Sequence, residues 1–470
     1  MNGNKIRGDK NMKVNAFDLF LKQKRFDLIY KHLYVQNQDN NFVRQAYLES
    51  IRAFNNFHEE EPSDNIAKDG PVAFLSRFDA LIKSFKKTGF DKSLAGIPVG
   101  VNGEIVDGAH RLAIAAALDC DVEIVESKRS DLYDYKFFQN NGMDTDIMDY
   151  GALEYVKLNP NAYIVNLQSI IDTKFDSQVE QILEKYGFIY YKKNVDINFN
   201  GLVNLKKLSY GSFWDRESWI GTVENGFAGA VYHANNSFGK NPMRIYVFVC
   251  EKLADVLAAK SEIRALFNIG NFCVHINDTR EEAIALAQTY FNKNSLYMIN
   301  KRPYQYEDKH FDDMVAELRN KIQNNTTLKI EDFCCLATSI FGIRKSGDLD
   351  LFYIGDENID FYSDDLSDNS DEFKFYPKSP DEILYNPLNY CYYQGIKFVS
   401  LNVLWNIKKA RNKPGDTDTC KMIKAFQCGK KYRKSDFKVF RKIRDGQKRT
   451  LVFFNLIKIH YTKKGHKHGL

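Results

Sequence analysis

A short run near residue 110 combines the residue types that bind phosphate and move protons. Asp107-Gly108-Ala109-His110-Arg111 begins an alanine-rich segment whose composition predicts a helix. Glycine permits close ligand approach, and the free N–H groups of a helix start favour an anion. Arg111 can bind phosphate through two hydrogen bonds, and His110 can shuttle a proton. We therefore expect a phosphate site with Asp107, Gly108 and Arg111 as binding residues and His110 as a catalytic one. The alternative is that His110 and Arg111 only brace the turn.

In its context, IPVGVNGEIVDGAHRLAIAAA, this run resembles the ParB/sulfiredoxin-like fold over about residues 40–130. Members include the nucleotide-binding domain of a DNA-partition protein, sulfiredoxin and free serine kinases. The resemblance implies a nucleotide, ATP or CTP, lying over the helix start. Ala109 stands where sulfiredoxin needs a cysteine, which disfavours peroxiredoxin repair. If the unit acts like a kinase, the resemblance implies a carboxylate base. Glu49 and the run Glu59-Glu60-Glu61 are the candidates, and from this run we take Glu61 as the catalytic residue.

A second run, Ser346-Gly347-Asp348-Leu349-Asp350, places two carboxylates two residues apart in a segment that predicts a strand. Side chains two apart on a strand point to one face. Two carboxylates on one face suit Mg²⁺, which prefers oxygen ligands and bridges nucleotide phosphates. Arg344 and Lys345 lie just upstream, where they can meet a triphosphate. We therefore expect Asp348 and Asp350 to be metal ligands and catalytic residues.

This second run, FGIRKSGDLDLFYI, resembles the nucleotidyltransferase fold, and the resemblance covers about residues 328–428. The downstream run YYQGIKFVSLNVLWNIKKARNKPGDTDTCKMI looks like the later helix of small nucleotidyltransferases. What the resemblance implies is Mg²⁺ and a nucleotide substrate, with Asp360 as the best choice of third carboxylate. The matching residues downstream are Lys408, Arg411, Asp416 and Asp418, of which Lys408 and Arg411 are expected to bind phosphate.

The middle of the chain contains further candidate site residues, whose pattern indicates function less specifically than the two runs above. Trp214 and Trp219 flank three charged residues, and aromatic rings beside polar groups commonly hold a sugar or a base. His275 precedes Asn277 and Asp278 at a strand-to-helix junction, which suits acid–base chemistry. The alternatives are a core tryptophan with a salt-bridged loop and a buried histidine beside a capping box. The run HINDT also looks like bacterial surface-polysaccharide-cluster proteins.

The pattern of apolar residues predicts the elements that must position these groups. Helical periodicity covers residues 15–60 and Phe74 to Gly89, and strand-like runs include AYIVNL, FIYYKKNV and MRIYVFVC. Helices and strands alternate, which predicts a multidomain chain of α/β and α+β class. The expected parts are a ParB/sulfiredoxin-like domain (1–135), a central α/β domain (155–325), a nucleotidyltransferase-like domain (326–428) and a basic amphipathic tail (429–470).

The charge of the 470-residue chain is unevenly distributed. The formal charge is +5, but residues 429–470 hold 14 Lys and Arg against two Asp, so the tail is +12 and the rest −7. Basic residues interleaved with apolar ones suit an anionic membrane surface or an acidic partner protein. The alternative is the solvated face of a terminal helical subdomain. The acidic body makes nucleic acid an unfavourable partner.

Composition limits the remaining classes of protein. No run approaches the ~18 apolar residues of a membrane helix, and the first 14 residues are polar and basic rather than a secretory signal. Eight scattered Cys form no zinc-binding pairs, and the adjacent Cys334 and Cys335 are expected to be buried thiols. We expect a cytoplasmic protein, with peripheral attachment at the inner membrane face as an option.

These signals together predict a nucleotide- and Mg²⁺-dependent transferase. It would move a phosphoryl or nucleotidyl group to a small hydroxylated substrate such as a sugar, polyol or amino acid, in surface-polysaccharide biosynthesis. One alternative is a ParB-like, nucleotide-switched DNA-binding protein. Another is a non-catalytic scaffold with degenerate nucleotide folds.

Overall fold

The computed structural model describes residues 12–60, 68–89, 96–211, 218–355, 363–430, 432, 440–445, 448–453 and 457–462. Helices and several small sheets are mixed throughout these ranges, which confirms the α/β character and the multidomain organisation. The chain divides into two compact units, residues 1–407 and residues 408–470.

The first part of the larger unit surrounds a three-stranded sheet. Its elements are β1 (Met12–Asn15), α1 (Ala16–Leu21), α2 (Leu28–Gln36), α3 (Asn41–Asn55), β2 (His58–Glu59), β3 (Lys68–Asp69), α4 (Gly70–Thr88), β4 (Ile97–Val99), α5 (Ala109–Ala117) and β5 (Asp121–Glu126). The strand order is β1-β5-β4, with β1 antiparallel and β4 parallel to β5. Asn40 caps α3 through its side chain, and α4 ends at Gly89 as its sequence predicts.

The segment before α5 contains a tight turn. A single antiparallel bridge joins Val99 to Ile105, and residues 104–106 form no strand. Gly103 has a φ of +79°, so the turn at Asn102-Gly103 uses a backbone conformation that glycine adopts without strain. The turn still delivers Asp107 and Gly108 to the start of α5, which packs against α1, α2 and α4.

The middle of the larger unit is built on an antiparallel sheet. Its elements are α6 (Tyr135–Asn140), α7 (Thr145–Leu158), β6 (Ala162–Leu167), α8 (Asp176–Tyr186), β7 (Phe188–Val195), α9 (Phe199–Gly211), α10 (Ala228–Ser237), β8 (Met243–Val249), α11 (Leu253–Phe267), β9 (Val274–Ile276), α12 (Arg280–Tyr290), α13 (Lys293–Lys301) and α14 (Lys309–Gln323). The order is β7-β8-β6-β9. Every residue of β8 is buried, which explains its unbroken apolar run.

Helix α7 joins the first two sheets. The ring of Tyr155 stacks on Tyr190 of β7 at a centroid distance of 3.5 Å, and its hydroxyl donates to the carbonyl of Leu21. Gly151 is required where α7 approaches α2, because a Cβ there would lie 2.3 Å from the Tyr30 hydroxyl oxygen. Arg280 closes the C-terminus of α7 by donating to its last carbonyls. These contacts fix the N-terminal sheet against the central one.

The last part of the larger unit has a five-stranded mixed sheet. Its elements are β10 (Phe333–Leu336), β11 (Leu349–Tyr353), β12 (Leu366–Asp368), α15 (Pro380–Tyr385), β13 (Tyr390–Tyr393), β14 (Ile396–Val399) and α16 (Leu401–Arg411), of which residues 408–411 belong to the second unit. The strand order is β12-β11-β10-β14-β13. Residues 333–336 form β10, which pairs with both β11 and β14. Cys334 and Cys335 are buried there as free thiols, as expected.

The second unit contains α17 (Asp416–Gln427) and the strands β15 (Phe440–Asp445), β16 (Lys448–Phe453) and β17 (Ile457–Thr462). The strands form an antiparallel sheet in sequence order. The terminal helical subdomain that was an alternative for the basic tail is therefore wrong over these strands. Among the helices in the described ranges, none is both long and apolar enough to cross a membrane.

Candidate functional site

Gly108 and Arg111 form the first turn of α5. Gly108 caps the helix with a φ of +78°, and a Cβ there would lie 3.1 Å from Nη2 of Arg111. The guanidinium therefore lies directly over the helix start, where the amide dipoles favour negative charge. The N–H of Gly108 donates to Oδ1 of Asp107 at 2.6 Å, which holds the turn in place. Asp107, Gly108 and Arg111, the three residues of this run that are predicted to bind phosphate, thus lie in one turn.

His110 lies on the inner side of the same turn. Its Nε2 is 3.0 Å from the hydroxyl of Tyr47 on α3. Its ring packs edge-to-face with that of Phe78 on α4, with 4.6 Å between the ring centroids. Burial lowers the pKa of His110 well below its usual range, and the positive charges of Lys31 and Lys68 lower it further. The imidazole is therefore neutral at pH 7, able to accept or donate one hydrogen bond but carrying no charge.

A buried group of charges lies next to His110. The Asp27 carboxylate is fully buried and accepts from Nε of Arg25 at 2.9 Å and from Nζ of Lys31. Burial opposes the charge of Asp27, but Arg25 and Lys31 outweigh it and hold its pKa below the usual range. Nearby, Lys68 pairs with Glu59 at 3.0 Å. Two cations around one carboxylate leave an excess of positive charge behind the start of α5, which favours an anion there.

The carboxylates proposed as catalytic bases have different partners. Glu49 accepts from Nε and Nη2 of Arg52, both at 2.7 Å, and from the N–H of Asp144 at 2.9 Å. It therefore ties α3 to the start of α7. Glu59 pairs with Lys68, Glu60 is exposed, and Glu61 lies outside the described residues.

Asp348 and Asp350 stand at the start of β11, as the sequence predicts. Asp348 immediately precedes the strand and is exposed, whereas Asp350 is half-buried and pairs in register with Leu336 of β10. Asp365 precedes Leu366, the register partner of Leu349, so Asp348 and Asp365 occupy neighbouring positions where two parallel strands begin. Asp360, the expected third carboxylate, lies outside the described residues.

These aspartates supply the oxygen ligands that Mg²⁺ prefers. In the ranges that the structure describes, no three or more His, Cys, Asp or Glu side chains are arranged to hold a metal. Mg²⁺ keeps several waters, however, and often takes only one or two carboxylates together with substrate phosphates. A pair of aspartates therefore fits the ion, and Asp348 and Asp350 are the residues that would hold it. Arg344 and Lys345 are both exposed in the preceding turn.

The predicted phosphate-binding residues of the second unit form a local network. Nε and Nη2 of Arg411 donate to the Asp416 carboxylate at 3.0 and 2.7 Å. Burial opposes the charge on Asp416, but Arg411 lowers its pKa below the usual range. Asp418 accepts from the Tyr432 hydroxyl at 3.2 Å, and Lys408 is buried. The Arg411 guanidinium thus serves to bind Asp416 at the start of α17.

His275 lies in the core of the central sheet. Its Nε2 is 2.6 Å from Oε1 of Glu282, and its Nδ1 is 3.1 Å from the hydroxyl of Tyr210. The N-cap of α12 is Thr279, whose side chain accepts from the N–H of Glu282. Burial lowers the pKa of His275 although Glu282 opposes the shift. His275 is thus buried beside the capping turn of α12, and its two ring nitrogens contact Glu282 and Tyr210, groups that can exchange protons with it.

Of the two tryptophans predicted to bind substrate, Trp219 is described by the structure and Trp214 lies outside the described residues. Trp219 is 37% exposed. Its ring centroid lies 5.2 Å from that of Tyr210 and 5.8 Å from that of His233. It therefore belongs to the same aromatic group as His275 and presents part of its ring to solvent.

Comparison of the chain with protein-family models, curated proteins and solved structures gave no significant match.

Sequence reasoning missed the buried partners of the predicted residues. Tyr47, Asp27 and Lys31 are ordinary members of helical runs, and their contacts show that they are buried partners of the predicted site. The sequence did contain one indication of the pair between Asp27 and Lys31. Asp27 and Lys31 lie four residues apart within the apolar run FDLIYKHLY, where charges facing the core must be paired.

Proposed function

We propose that the chain is a nucleotide- and Mg²⁺-dependent transferase that moves a phosphoryl or nucleotidyl group from ATP or CTP to a small hydroxylated substrate. A sugar, polyol or amino acid in surface-polysaccharide biosynthesis fits this class. The observation that carries the proposal is the Arg111 guanidinium over Gly108 at the start of α5, in a turn whose His110 feels the buried charges of Lys31, Asp27 and Arg25. Both features favour a bound phosphate.

In this proposal the first turn of α5 binds the nucleotide. Arg111 and the N–H groups of the turn hold phosphate oxygens and so orient the reacting phosphorus. The neutral His110, fixed by Tyr47, offers a hydrogen bond without adding charge. Asp348 and Asp350 would hold Mg²⁺, and the ion supplies stabilisation of the negative charge on the transferred group.

Nucleotide consumption tests the proposal directly. The full chain is incubated with ATP or CTP, Mg²⁺ and a panel of sugars, polyols and amino acids, and nucleotide loss is followed. We expect Arg111→Ala and Asp348→Ala to abolish turnover. The matched controls are Arg129→Ala, an exposed arginine paired with Asp131, and Asp313→Ala on the exposed side of α14, which should leave turnover unchanged.

The outcomes separate the two predicted sites and the alternatives. Loss of turnover in only one of the two test variants assigns the reaction to the site, at the start of α5 or at the start of β11, that the substitution changes. If neither variant loses turnover, or if the folded wild-type chain consumes no nucleotide with any acceptor, the transferase proposal is wrong. Duplex DNA binding at physiological salt, in a gel-shift titration, would instead favour the nucleotide-switched DNA-binding protein.

A further inference from the structure

The strands β15, β16 and β17, here called the tail sheet, have one face that is apolar at one end. Residues directly opposite one another on antiparallel strands share a face, and so do residues two apart along a strand. Phe453 of β16 pairs with Phe440 of β15 and with Ile457 of β17, so three apolar residues form a row across the sheet. Two residues away along the strands, on the same face, Leu451 pairs with Ile459. Five apolar residues are therefore concentrated at this end of the face.

The other end of the same face is cationic. Arg444 of β15 lies directly opposite Arg449 of β16, and Arg449 pairs in turn with Tyr461 of β17. Lys442 lies two residues before Arg444 and so belongs to the same face. Asp445 is the single acidic residue of the three strands, and it belongs to the opposite face. The cations of this end therefore have no acidic residue on their own face of the tail sheet.

The pair of Arg444 and Arg449 favours an anion. Like charges directly opposite one another on two strands are destabilising, because the Cβ atoms of such a pair are only about 4.5–5.5 Å apart. An anion that binds both guanidinium groups removes this repulsion. Phosphate suits the role, since its several oxygens accept charge-assisted hydrogen bonds from arginine. The register of the tail sheet thus indicates a phosphate group at its cationic end.

The order of apolar and cationic rows matches the layers of a bilayer surface. The row of Phe440 and the row of Arg444 are four residues apart along β15, or about 14 Å at a rise of about 3.4 Å per residue. An interfacial element inserts its apolar residues about 5–10 Å, which leaves its cations among the lipid headgroups, where tyrosine is also enriched. A nucleic-acid duplex would instead need cations along the whole face. In the described part of the second unit, the tail strands contact one another extensively and α17 makes no comparable contact with them.

We propose that this face of the tail sheet, from the row of Phe440, Phe453 and Ile457 to the pair of Arg444 and Arg449, binds an anionic lipid bilayer. The apolar row enters the boundary between headgroups and acyl chains, and the two arginines bind lipid phosphates. This inference is independent of the transferase proposal, because it uses none of the same residues.

Vesicle binding by the full chain tests the proposal. Sedimentation with phosphatidylcholine vesicles, with and without phosphatidylserine, measures the affinity. The test variant Arg444→Gln/Arg449→Gln removes two cations from the proposed face, and the matched control Arg441→Gln/Lys458→Gln removes two from the opposite face. A basic residue near anionic lipid contributes about fivefold in affinity, so the test variant should bind about 25-fold more weakly and the control less than about fivefold. Equal losses in the two variants, or wild-type binding that does not depend on phosphatidylserine, would overturn the proposal.

A second pair of variants tests the apolar row. Phe453 lies on the proposed face, whereas Val452, its neighbour in β16, pairs with Arg441 and Lys458 on the opposite face. Phe453→Gln should therefore weaken vesicle binding at least about fivefold, and Val452→Gln should leave it unchanged. If the two substitutions have the same effect, the apolar row does not enter the bilayer and the proposal is wrong.

Photo-crosslinking of the wild-type chain requires no variant to fold. The chain is bound to vesicles that contain a phosphatidylserine with a diazirine in its acyl chain, and labelled residues are located by mass spectrometry after irradiation. We expect the label within residues 451–459, which include the apolar positions of β16 and β17. Label confined to other parts of the chain would refute the proposal. Duplex DNA binding at physiological salt that is lost in Arg444→Gln/Arg449→Gln, without any vesicle binding, would assign the face to nucleic acid instead.

Discussion

The hydroxyl of Tyr47 and Nε2 of His110 lie 3.0 Å apart and join α3 to the first turn of α5. Tyr47 is buried, with its ring stacked on Tyr34 at 5.0 Å. Since the imidazole is neutral, this single bond decides which way the ring of His110 faces. The predicted phosphate site therefore depends on a residue more than 60 positions earlier in the chain.

Tyr47→Phe should lower the free energy of unfolding by about 1–3 kcal/mol, because Nε2 of His110 loses its partner in a part-buried position. Urea denaturation measures the change. Tyr34→Phe is the matched control. Its hydroxyl donates to Asp79, which also accepts from Gln38, so a smaller loss is expected there. If both variants lose the same free energy of unfolding, the hydrogen bond to His110 stabilises the fold no more than the bond from Tyr34 to Asp79.

Asp27→Asn should destabilise the chain by about 3–5 kcal/mol, since it leaves the buried cations Arg25 and Lys31 without their counter-charge. Glu251→Gln removes one partner of the exposed pair with Lys22 and should change stability by less than about 0.5 kcal/mol. Denaturant titration of both variants at pH 7 compares them. If both variants change the free energy of unfolding by a similarly small amount, burial does not determine how much the Asp27 ion pairs stabilise the fold.

The same carboxylate predicts a dependence on pH. Its pKa is lowered in the folded chain, so the unfolded chain binds more protons as the pH falls. The stabilisation by Asp27 is therefore complete above its unfolded pKa of about 3.9 and is lost as the pH falls below that value. The difference in unfolding free energy between wild type and Asp27→Asn should shrink between pH 5 and pH 2. A constant difference would contradict the assignment.

Gly108→Ala and Gly103→Ala separate backbone strain from contact with Arg111. Both glycines have a φ near +79°, so each alanine should cost about 1–2 kcal/mol of stability. A Cβ meets nothing within 4 Å at Gly103, whereas at Gly108 it lies 3.1 Å from Nη2 of Arg111. Only Gly108→Ala should therefore weaken nucleotide binding, measured by calorimetry. Equal weakening in both variants would argue against the placement of Arg111.

Lys206→Met should raise stability at pH 7, because it replaces a buried, unpaired amine with an apolar side chain of similar length. The pKa of Lys206 is about 7 when folded and about 10.4 when unfolded, so wild-type stability gains from this residue as the pH rises through that window. The advantage of the variant should narrow between pH 7 and pH 10. Neighbouring titratable groups, His275, His233, Tyr210, Tyr290 and Glu282, are common to both proteins.

Local patterns were enough to predict many of the elements. The apolar run of β8, the end of α4 at Gly89 and the glycine start of α5 follow from residues adjacent in the chain. Residues 333–336 form a strand because FCCL has strand partners on both sides, a fact that no short window contains. The tail shows the same limit, since each of its strands β15, β16 and β17 depends on pairing with another strand.

By itself, the sequence determined the mixed α/β, multidomain character, the turn that carries Gly108, His110 and Arg111, and the placement of Asp348 and Asp350 at the start of a strand. Each depends on steric and hydrogen-bonding preferences that act over a few residues. Only the tertiary structure decided that Tyr47 holds His110 and that Lys206 shares a cavity with Asn166 and His275. Burial and the loss of solvent that lower a pKa are created when distant segments pack, so composition and spacing could not reveal them.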